Sequence, residues 1–447
     1  MLTHSSPNLF ISTSHAGFGP RSFCIRRPTL LLFLCLPLPA LADVVYGGMV
    51  NLLGFNTISP GVALRGALVF FILFTAFLKF NHLGKGAAIL IYLMVFCSVP
   101  ALFVSAFTSD SFFSDVIHGT KAIFMPLLLG FVAYLINRYR IDESTILRML
   151  EVWTYVMTFG FVIPDALGIS VQTYGDYAAG SKGLFVAGND SALALGLGLL
   201  AVSYRLFFLR FSTLRFVMFL LGVFAVVGVG SRTALLLTSA SGVVILVAIV
   251  FFQGPRMSVS LFEKLWRSIS SVILLVSIAY AVSFGIALQT ASEYQREKLH
   301  DLAEGAHPRG ILILSALQYL DDREGWKNFT GEGSHNYGIG VGKFWPAASK
   351  KFAEVDYLDA YGAYGAPYLV TSHILMLFIV FIAITNTIYY RSALSFILGG
   401  ASVAYLFHSL LAGHALFTPT VATVFAVCGA LILKEGQLRR MRLKPTQ

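Results

Sequence analysis

The chain has 447 residues and a mean hydropathy of +0.76; 57% of its residues are hydrophobic and only 12% are charged. This composition excludes a soluble globular protein, because apolar runs recur that match the roughly 20 residues needed to cross a hydrocarbon core. Inside a bilayer every backbone group has to be satisfied internally, so we expect the spans to be helices. The net charge of +10 invites a nucleic-acid-binding function, but the distribution of the charges argues against it.

The N-terminal region begins with a polar stretch. Residues 1–28 are rich in Ser and Pro, and we expect a disordered cytoplasmic tail. The apolar run from Thr29 to Ala42 has two interpretations. One is a signal peptide, since a basic flank precedes it and small residues end it. We favour a first membrane span that continues to about Gly48, because another hydrophobic run follows after a short connection.

Further hydrophobic runs predict a total of about twelve spans, which would place both termini in the cytoplasm. After the first span, eight more lie within residues 29–289, at about 61–79, 88–106, 118–136, 146–166, 184–204, 214–230, 233–252 and 269–289. A large polar loop at 290–366 follows, then spans at 367–389, 393–413 and 418–433, and a tail at 434–447. The predicted fold is all-α: a polytopic membrane protein with one large loop that contains short helices.

The basic residues are distributed unevenly between the two sides of this topology. Most of the 32 lysines and arginines fall on one side, in the connections and in the C-terminal tail. By the positive-inside rule that side is cytoplasmic, so the large loop lies outside. Four cations depart from the rule at the outer ends of spans: Arg65, Lys121, Lys182 and Arg232.

Two arginines are candidates for binding an anion. Arg232 lies between two hydrophobic spans at their outer end, whereas cations that anchor spans gather on the inner side. Its guanidinium group suits bidentate binding of phosphate oxygens. Arg309 follows Pro308, which fits the first position of an amphipathic helix, where an arginine is poorly placed for the helix dipole. We expect that helix to lie on the bilayer surface or under the rest of the loop.

The loop also contains a candidate general base. His335 lies beside Asn336 in what we interpret as a Gly-rich turn, where the backbone can approach a ligand closely. An imidazole can accept a proton at neutral pH. The alternative is a histidine that is structural or merely exposed.

Acidic residues in the loop offer a second kind of site. Asp321-Asp322 and the Asp356 and Asp359 pair could hold a hard cation such as Mg²⁺ through oxygen ligands. Their spacing is unspecific, and we favour solvated helix faces. We predict a helix that begins at Pro346, carries Asp356 and Asp359 on one face and ends near Gly365. The sequence contains no Walker A loop, no HExxH and no zinc-type spacing.

Several segments together resemble the bacterial O-antigen polymerase and O-antigen ligase superfamily. GSRTALLL (230–237) is similar to its signature, and GSKGLFVAGNDSALALGLGLL (180–200) resembles the segment that opens one of its spans. Arg309, Gly331-Glu332-Gly333, His335-Asn336 and EVDYLDAYGAYGAP (354–367) follow in the family's order. The resemblance covers roughly 30–433 in topology and about 180–370 in motifs.

The resemblance implies a GT-C-like, inverting and metal-independent glycosyltransferase, without a cofactor, at the periplasmic face of a bacterial inner membrane. Arg232 and Arg309 would bind the diphosphate leaving group, and His335 would activate the acceptor hydroxyl. Further residues would contact the diphosphate or the glycan: Arg65, Lys121, Lys182, Asn189, Asn336, Asp356 and Asp359. Many ligases place the His-Asn pair closer to the final acidic segment than this chain does, which favours a polymerase.

The predicted function is polymerisation of undecaprenyl diphosphate-linked oligosaccharides into a surface polysaccharide, which would be an O-antigen, a capsule or an exopolysaccharide. Its partners would be the lipid-linked donor and acceptor, membrane lipids and a chain-length regulator, but no nucleic acid. One alternative is transfer of a finished glycan to another acceptor, as in a ligase. Another is a twelve-span transporter or lipid-glycan flippase; we see no repeat between the two halves, which disfavours it.

Overall fold

The computed structural model describes residues 27–55, 59–173, 180–209, 211–252, 308–345, 350–411, 413 and 415–443, with a few positions between 269 and 287. It describes only the backbone at 27, 81, 82, 308, 309 and 439–443.

The described chain is helical, and its one β contact is an isolated bridge between Gln172 and Ser181. The helices before the large loop are α1 (Arg27–Cys35), α2 (Pro37–Leu53), α3 (Pro60–Thr75), α4 (Lys85–Thr108), α5 (Phe112–Tyr139), α6 (Glu143–Ala166), α7 (Gly188–Tyr204), α8 (Thr213–Gly228) and α9 (Arg232–Phe252). The later helices are α10 (Pro308–Asp322), α11 (Lys327–Thr330), α12 (Ser334–Lys343), α13 (Asp356–Tyr390), α14 (Ala393–Leu411) and α15 (Pro419–Leu443). A 3₁₀ helix lies at Phe77–Leu83, and a π-helical turn at Arg205–Leu209 extends α7.

The described residues contain nine helices that are long and apolar enough to cross a membrane. Helices α3 and α8 are shorter but also apolar, and they coincide with two further predicted spans. The structure therefore confirms a helical, multi-pass membrane architecture. The predicted span at 269–289 falls mostly outside the described residues, as does the tail at 1–26, so the total of twelve spans stays a prediction.

The centre of the bundle is formed by α5 and α15, which pack against each other. Their apolar residues between 122 and 136 and between 421 and 433 are almost completely buried. Helices α4 and α13 pack beside them, and α7 lies between α6, α9 and α14. Because both central helices are apolar on all sides, burial inside a ring of other helices is the arrangement expected for them.

The first predicted loop helix is confirmed, and it starts at Pro308 as expected. One face of α10, with Leu312 and Ala316, is buried, and α10 packs against α12. The opposite face exposes Leu314 and Leu317.

The second predicted loop helix is wrong in its bounds. Residues 346–349 lie outside the described part, and the segment from Lys350 to Val355 is not helical. The helix begins instead at Asp356 and continues to Tyr390, through the residue predicted to end it. Gly365 takes non-helical dihedrals (φ 82°, ψ 171°) and so produces a kink inside α13 rather than its end.

The kink determines how the loop is attached to the bundle. The dihedrals of Gly365 and the missing amide of Pro367 remove the helical donors for the carbonyls of Gly362 and Ala363. Both carbonyls receive donors from the loop instead: Arg323 Nη1 donates to Gly362 O at 3.1 Å, and the Gly333 amide donates to Ala363 O at 3.1 Å. The loop is therefore attached to α13 through the two carbonyls that have no helical hydrogen-bond donor at the kink.

Glycines make this attachment sterically possible. Gly331, with φ 69°, lies so close to α13 that an added Cβ would be 2.3 Å from Ala363 O. Gly365 approaches the loop equally closely, since its added Cβ would be 2.3 Å from Phe329 O. A side chain at either position would push the loop off the kinked helix.

The opposite end of the bundle holds a buried ion network. Glu151 on α6 is 7% exposed and pairs with Arg205 and Arg215, and Tyr155 donates to it at 3.0 Å. Such a shared carboxylate offsets the desolvation of the two guanidinium groups.

Candidate functional site

The candidate site lies at the loop face, which we define as the end of the bundle on which α10, α11 and α12 dock. Asp115, in the first turn of α5, is 1% exposed and accepts three hydrogen bonds there. The donors are Ser105 Oγ at 2.5 Å, Ser334 Oγ at 2.8 Å and the His335 amide at 2.7 Å. A carboxylate at the start of α12 satisfies amides that have no helical partner and complements the helix dipole.

His335 consequently lies in the first turn of α12 rather than in a turn between elements. Its side chain is half-buried. Gly333 precedes the helix with φ 83°, and an added Cβ there would be 2.9 Å from Ser105 Cβ. The neighbouring Asn336 side chain donates to Thr108 Oγ1 at 2.9 Å and to Glu332 O at 3.2 Å. Asn336 thus holds α12 against the end of α4.

Lys350 is a cation that contacts His335. Its Nζ lies 3.4 Å from His335 Nδ1 and 3.4 Å from Ser114 Oγ on α5. Partial burial lowers the pKa of the Lys350 ammonium below its ordinary value, and the charge of Asp115 acts in the opposite direction. The loop face therefore holds a solvent-exposed lysine whose ammonium group contacts the candidate base.

Below these residues is a group of stacked rings. His118 on α5 stacks on Phe352 at 5.5 Å between ring centroids, and its Nδ1 lies 2.8 Å from the Tyr364 hydroxyl. Phe417, which precedes α15, contacts His118 at 4.9 Å. These rings pack together directly beneath the loop.

Two of the predicted cations at the loop face lie near acidic side chains. Arg65 is 6% exposed and binds the Asp43 carboxylate through both Nη atoms, at 3.0 and 2.5 Å. Lys121 on α5 lies within electrostatic range of Asp190, Arg65 and Lys350. Arg65 and Lys350 are thus both close enough to Lys121 to act on its charge.

Arg232 occupies the first position of α9, and the residues before it explain why the helix begins there. Gly230 has φ 73°, which reverses the chain after α8. Ser231 then caps α9, since its Oγ accepts a hydrogen bond from the Ala234 amide at 3.2 Å. The Arg232 side chain is exposed and lines one end of a groove.

That groove has a volume of about 800 Å³ and runs between α9, α13 and α14. Arg232, His408 and Leu411 line one end, and Thr387 and Ser395 line the other. Nearly all side chains between the two ends are aliphatic or aromatic.

The other segment with a family resemblance packs directly against the Arg232 turn. Gly180, with φ 70°, lies so close to it that an added Cβ would be 2.1 Å from Val229 O, and the Ser181 amide donates to Gly228 O at 2.9 Å. Lys182 is partly exposed beside this contact, and Asn189 is exposed in the first turn of α7. Residues 180–189 and the Arg232 turn therefore belong to one surface.

The remaining predicted residues are in other environments. Arg309 lies in the first turn of α10, but its side chain is outside the described part. Asp356 Oδ2 accepts from the amides of Ala415 and Leu416, at 3.0 and 2.7 Å. Asp359 Oδ1 accepts from the Ala353 amide at 2.8 Å.

Asp356 and Asp359 are 1% and 6% exposed, so they hold the backbone of this protein together and are not accessible to a sugar. Among the described residues, no three His, Cys, Asp or Glu side chains gather as a metal site.

Sequence reasoning missed Asp115 and Lys350. Asp115 had only a weak signal, because it lies three residues before the predicted span at 118–136. Lys350 had no comparable signal, since its proximity to His335 depends on how the loop folds. Comparison of the sequence with protein-family models and with curated proteins finds no match in either.

Proposed function

We propose that this protein polymerises oligosaccharide repeat units carried on undecaprenyl diphosphate into a surface polysaccharide. In this proposal it is an inverting, metal-independent glycosyltransferase of the GT-C kind, and the loop face lies on the periplasmic side of a bacterial inner membrane. The observation that carries the proposal is one arrangement: a cationic, partly desolvated loop face beside an apolar groove with an arginine at its mouth.

The groove and Arg232 suit the two parts of a lipid diphosphate. An isoprenoid chain would lie along the aliphatic walls contributed by α9, α13 and α14. Its diphosphate would then reach the end of the groove at Arg232, whose guanidinium group can bind two phosphate oxygens. A lipid-facing site with a polar end favours an amphiphilic substrate over a fully water-soluble one.

The loop face supplies the groups that glycosyl transfer requires. As the bond between C1 of the donor sugar and the diphosphate breaks, negative charge develops on the leaving oxygen and has to be stabilised. One pair of unit charges at 4 Å contributes about 4 kcal/mol at an effective dielectric near 20. Arg232, Arg309 and Lys121 are the cations that we assign to this role. His335 accepts the proton of the attacking hydroxyl, and Asp115 keeps the backbone of His335 in place.

Glycan analysis of a deletion strain tests this proposal against its rivals. A polymerase predicts that single repeat units accumulate on the lipid carrier while longer chains are absent. Long chains that are not joined to their final acceptor would indicate a ligase instead. Precursors trapped on the cytoplasmic leaflet would indicate a flippase and would overturn the proposal.

A further inference from the structure

The segment that carries Lys350 is fixed at several points. The Lys351 amide donates to Gly338 O on α12 at 2.9 Å, and three residues after Lys350 the Ala353 amide donates to Asp359 at 2.8 Å. The Lys350 Nζ also lies 5.7 Å from the centre of the Phe352 ring. The backbone that follows the lysine is therefore fixed, although the lysine side chain itself is exposed.

Gly338 provides the space for the lysine side chain. A Cβ added to Gly338 would be 2.9 Å from Lys350 Cγ and 3.0 Å from Lys350 Cε. The absence of a side chain one turn after His335 lets the Lys350 stem cross α12 closely. This crossing brings Nζ to 3.4 Å from His335 Nδ1.

This contact determines which nitrogen of His335 can act. When Lys350 is an ammonium it donates to Nδ1, and the imidazole proton is then on Nε2, which cannot accept another proton. When Lys350 is a neutral amine it can accept from Nδ1–H, and the lone pair of Nε2 becomes available. In other catalytic sites a carboxylate fulfils this orienting role.

We propose that Lys350 is the proton partner of His335 and acts as a positioning residue that lets the imidazole serve as a base only when the amine is neutral. This inference rests on the proposed function, in which a sugar hydroxyl attacks the lipid-linked donor.

The proton transfer is balanced in atoms and charge. The hydroxyl O–H bond breaks and an Nε2–H bond forms as the oxygen attacks C1, and the C1–diphosphate bond breaks. At the same time the Nδ1–H bond breaks and a third N–H bond forms on Nζ. The positive charge therefore ends on Lys350, within electrostatic range of the Asp115 carboxylate, and the lysine must lose a proton to solvent before the next cycle.

The groups around Lys350 come from two elements. Helix α5 contributes Ser114, Asp115, His118 and Lys121, and α12 contributes His335. Lys351 follows on the same segment, but its Nζ lies over the Trp345 ring at 5.7 Å. Partial burial favours the neutral amine, whereas Asp115 favours the charged form.

The pH dependence of polymer formation by the full-length protein in nanodiscs tests the relay. Wild-type activity should rise with pH as Lys350 loses its proton, below the ordinary lysine range near 10.4. Lys350→Arg keeps a cation that cannot be deprotonated, so we expect a loss of about 100-fold or more at every pH. Lys350→Met should leave a lower rate without the alkaline rise. Lys351→Arg is the matched control and should keep the wild-type profile.

A second measurement does not depend on activity. The outward-facing amines are labelled with trinitrobenzenesulfonate, which reacts with neutral amines, and the extent at Lys350 is read by mass spectrometry at each pH. Labelling of Lys350 at a lower pH than an ordinary lysine supports the inference. If Lys350→Arg keeps the wild-type pH profile, or if Lys350 is labelled only as an ordinary lysine, the relay is wrong. If the wild type forms no polymer, the proposed function fails, while the labelling still decides the state of Lys350.

Discussion

Asp115→Asn tests whether one buried carboxylate holds the loop on the bundle. In the wild type this carboxylate accepts from Ser105 Oγ, Ser334 Oγ and the His335 amide, all within 2.8 Å. A hydrogen bond to a charged group contributes about 1.5–3 kcal/mol, against about 0.5–1.5 kcal/mol for a neutral pair. The asparagine keeps one acceptor oxygen and loses the charge, so the docking of α12 should weaken by about 3 kcal/mol.

Because 1.4 kcal/mol corresponds to a factor of ten, the population of the undocked loop should rise more than about 100-fold. Hydrogen–deuterium exchange of the protein in nanodiscs measures this opening, with the His335 amide and α12 as the reporters. Asp110→Asn is the control, since Asp110 is an exposed carboxylate five residues earlier, in the connection before α5. Unchanged exchange in α12 of the Asp115→Asn protein would refute the reasoning.

Three further substitutions test separate contacts. Gly333→Ala forces a side chain onto a residue with positive φ and places its Cβ 2.9 Å from Ser105 Cβ. We therefore expect the free energy of unfolding to fall by about 2 kcal/mol in thermal unfolding. Gly310→Ala is the control: its Cβ meets open space, so it should be neutral or slightly stabilising. Arg323→Met removes the donor to Gly362 O and leaves the buried Glu332 with less charge compensation. We expect the free energy of unfolding to fall by about 3 kcal/mol and the loop to be cleaved faster by proteases. An unchanged proteolysis rate would contradict the role of the kink. Arg232→Ala should leave the unfolding temperature unchanged, because the side chain is exposed. The same variant should form no polymer. Normal polymer levels would remove Arg232 from the site.

The helices of the bundle could be predicted because span length and apolarity are local properties of the sequence. The start of α10 at Pro308 was equally predictable, since a proline at the first position loses no helical hydrogen bond. The start of α13 was not. Its position depends on Asp356, whose carboxylate binds the Ala415 and Leu416 amides from a segment that is distant in sequence.

The loop face could be predicted only in part. Arg232 and His335 were recognisable from their residue types and surroundings, but the contacts that position the loop are mostly to the backbone. The Gly333 amide and the carbonyl of Ala363 meet without any side chain that would indicate it. Lys350 is a similar case, because its contact with His335 requires a glycine at 338 that leaves no chemical signature of its own.

The most direct test of the central claim is glycan transfer by the purified protein in nanodiscs, supplied with undecaprenyl diphosphate-linked repeat units as the only substrates. The account predicts a ladder of lipid-linked chains that lengthen by one repeat at a time, and its loss in both Arg232→Ala and His335→Gln. Recovery of the repeat units unchanged with the wild-type protein, or an equal ladder from the two variants, would contradict it.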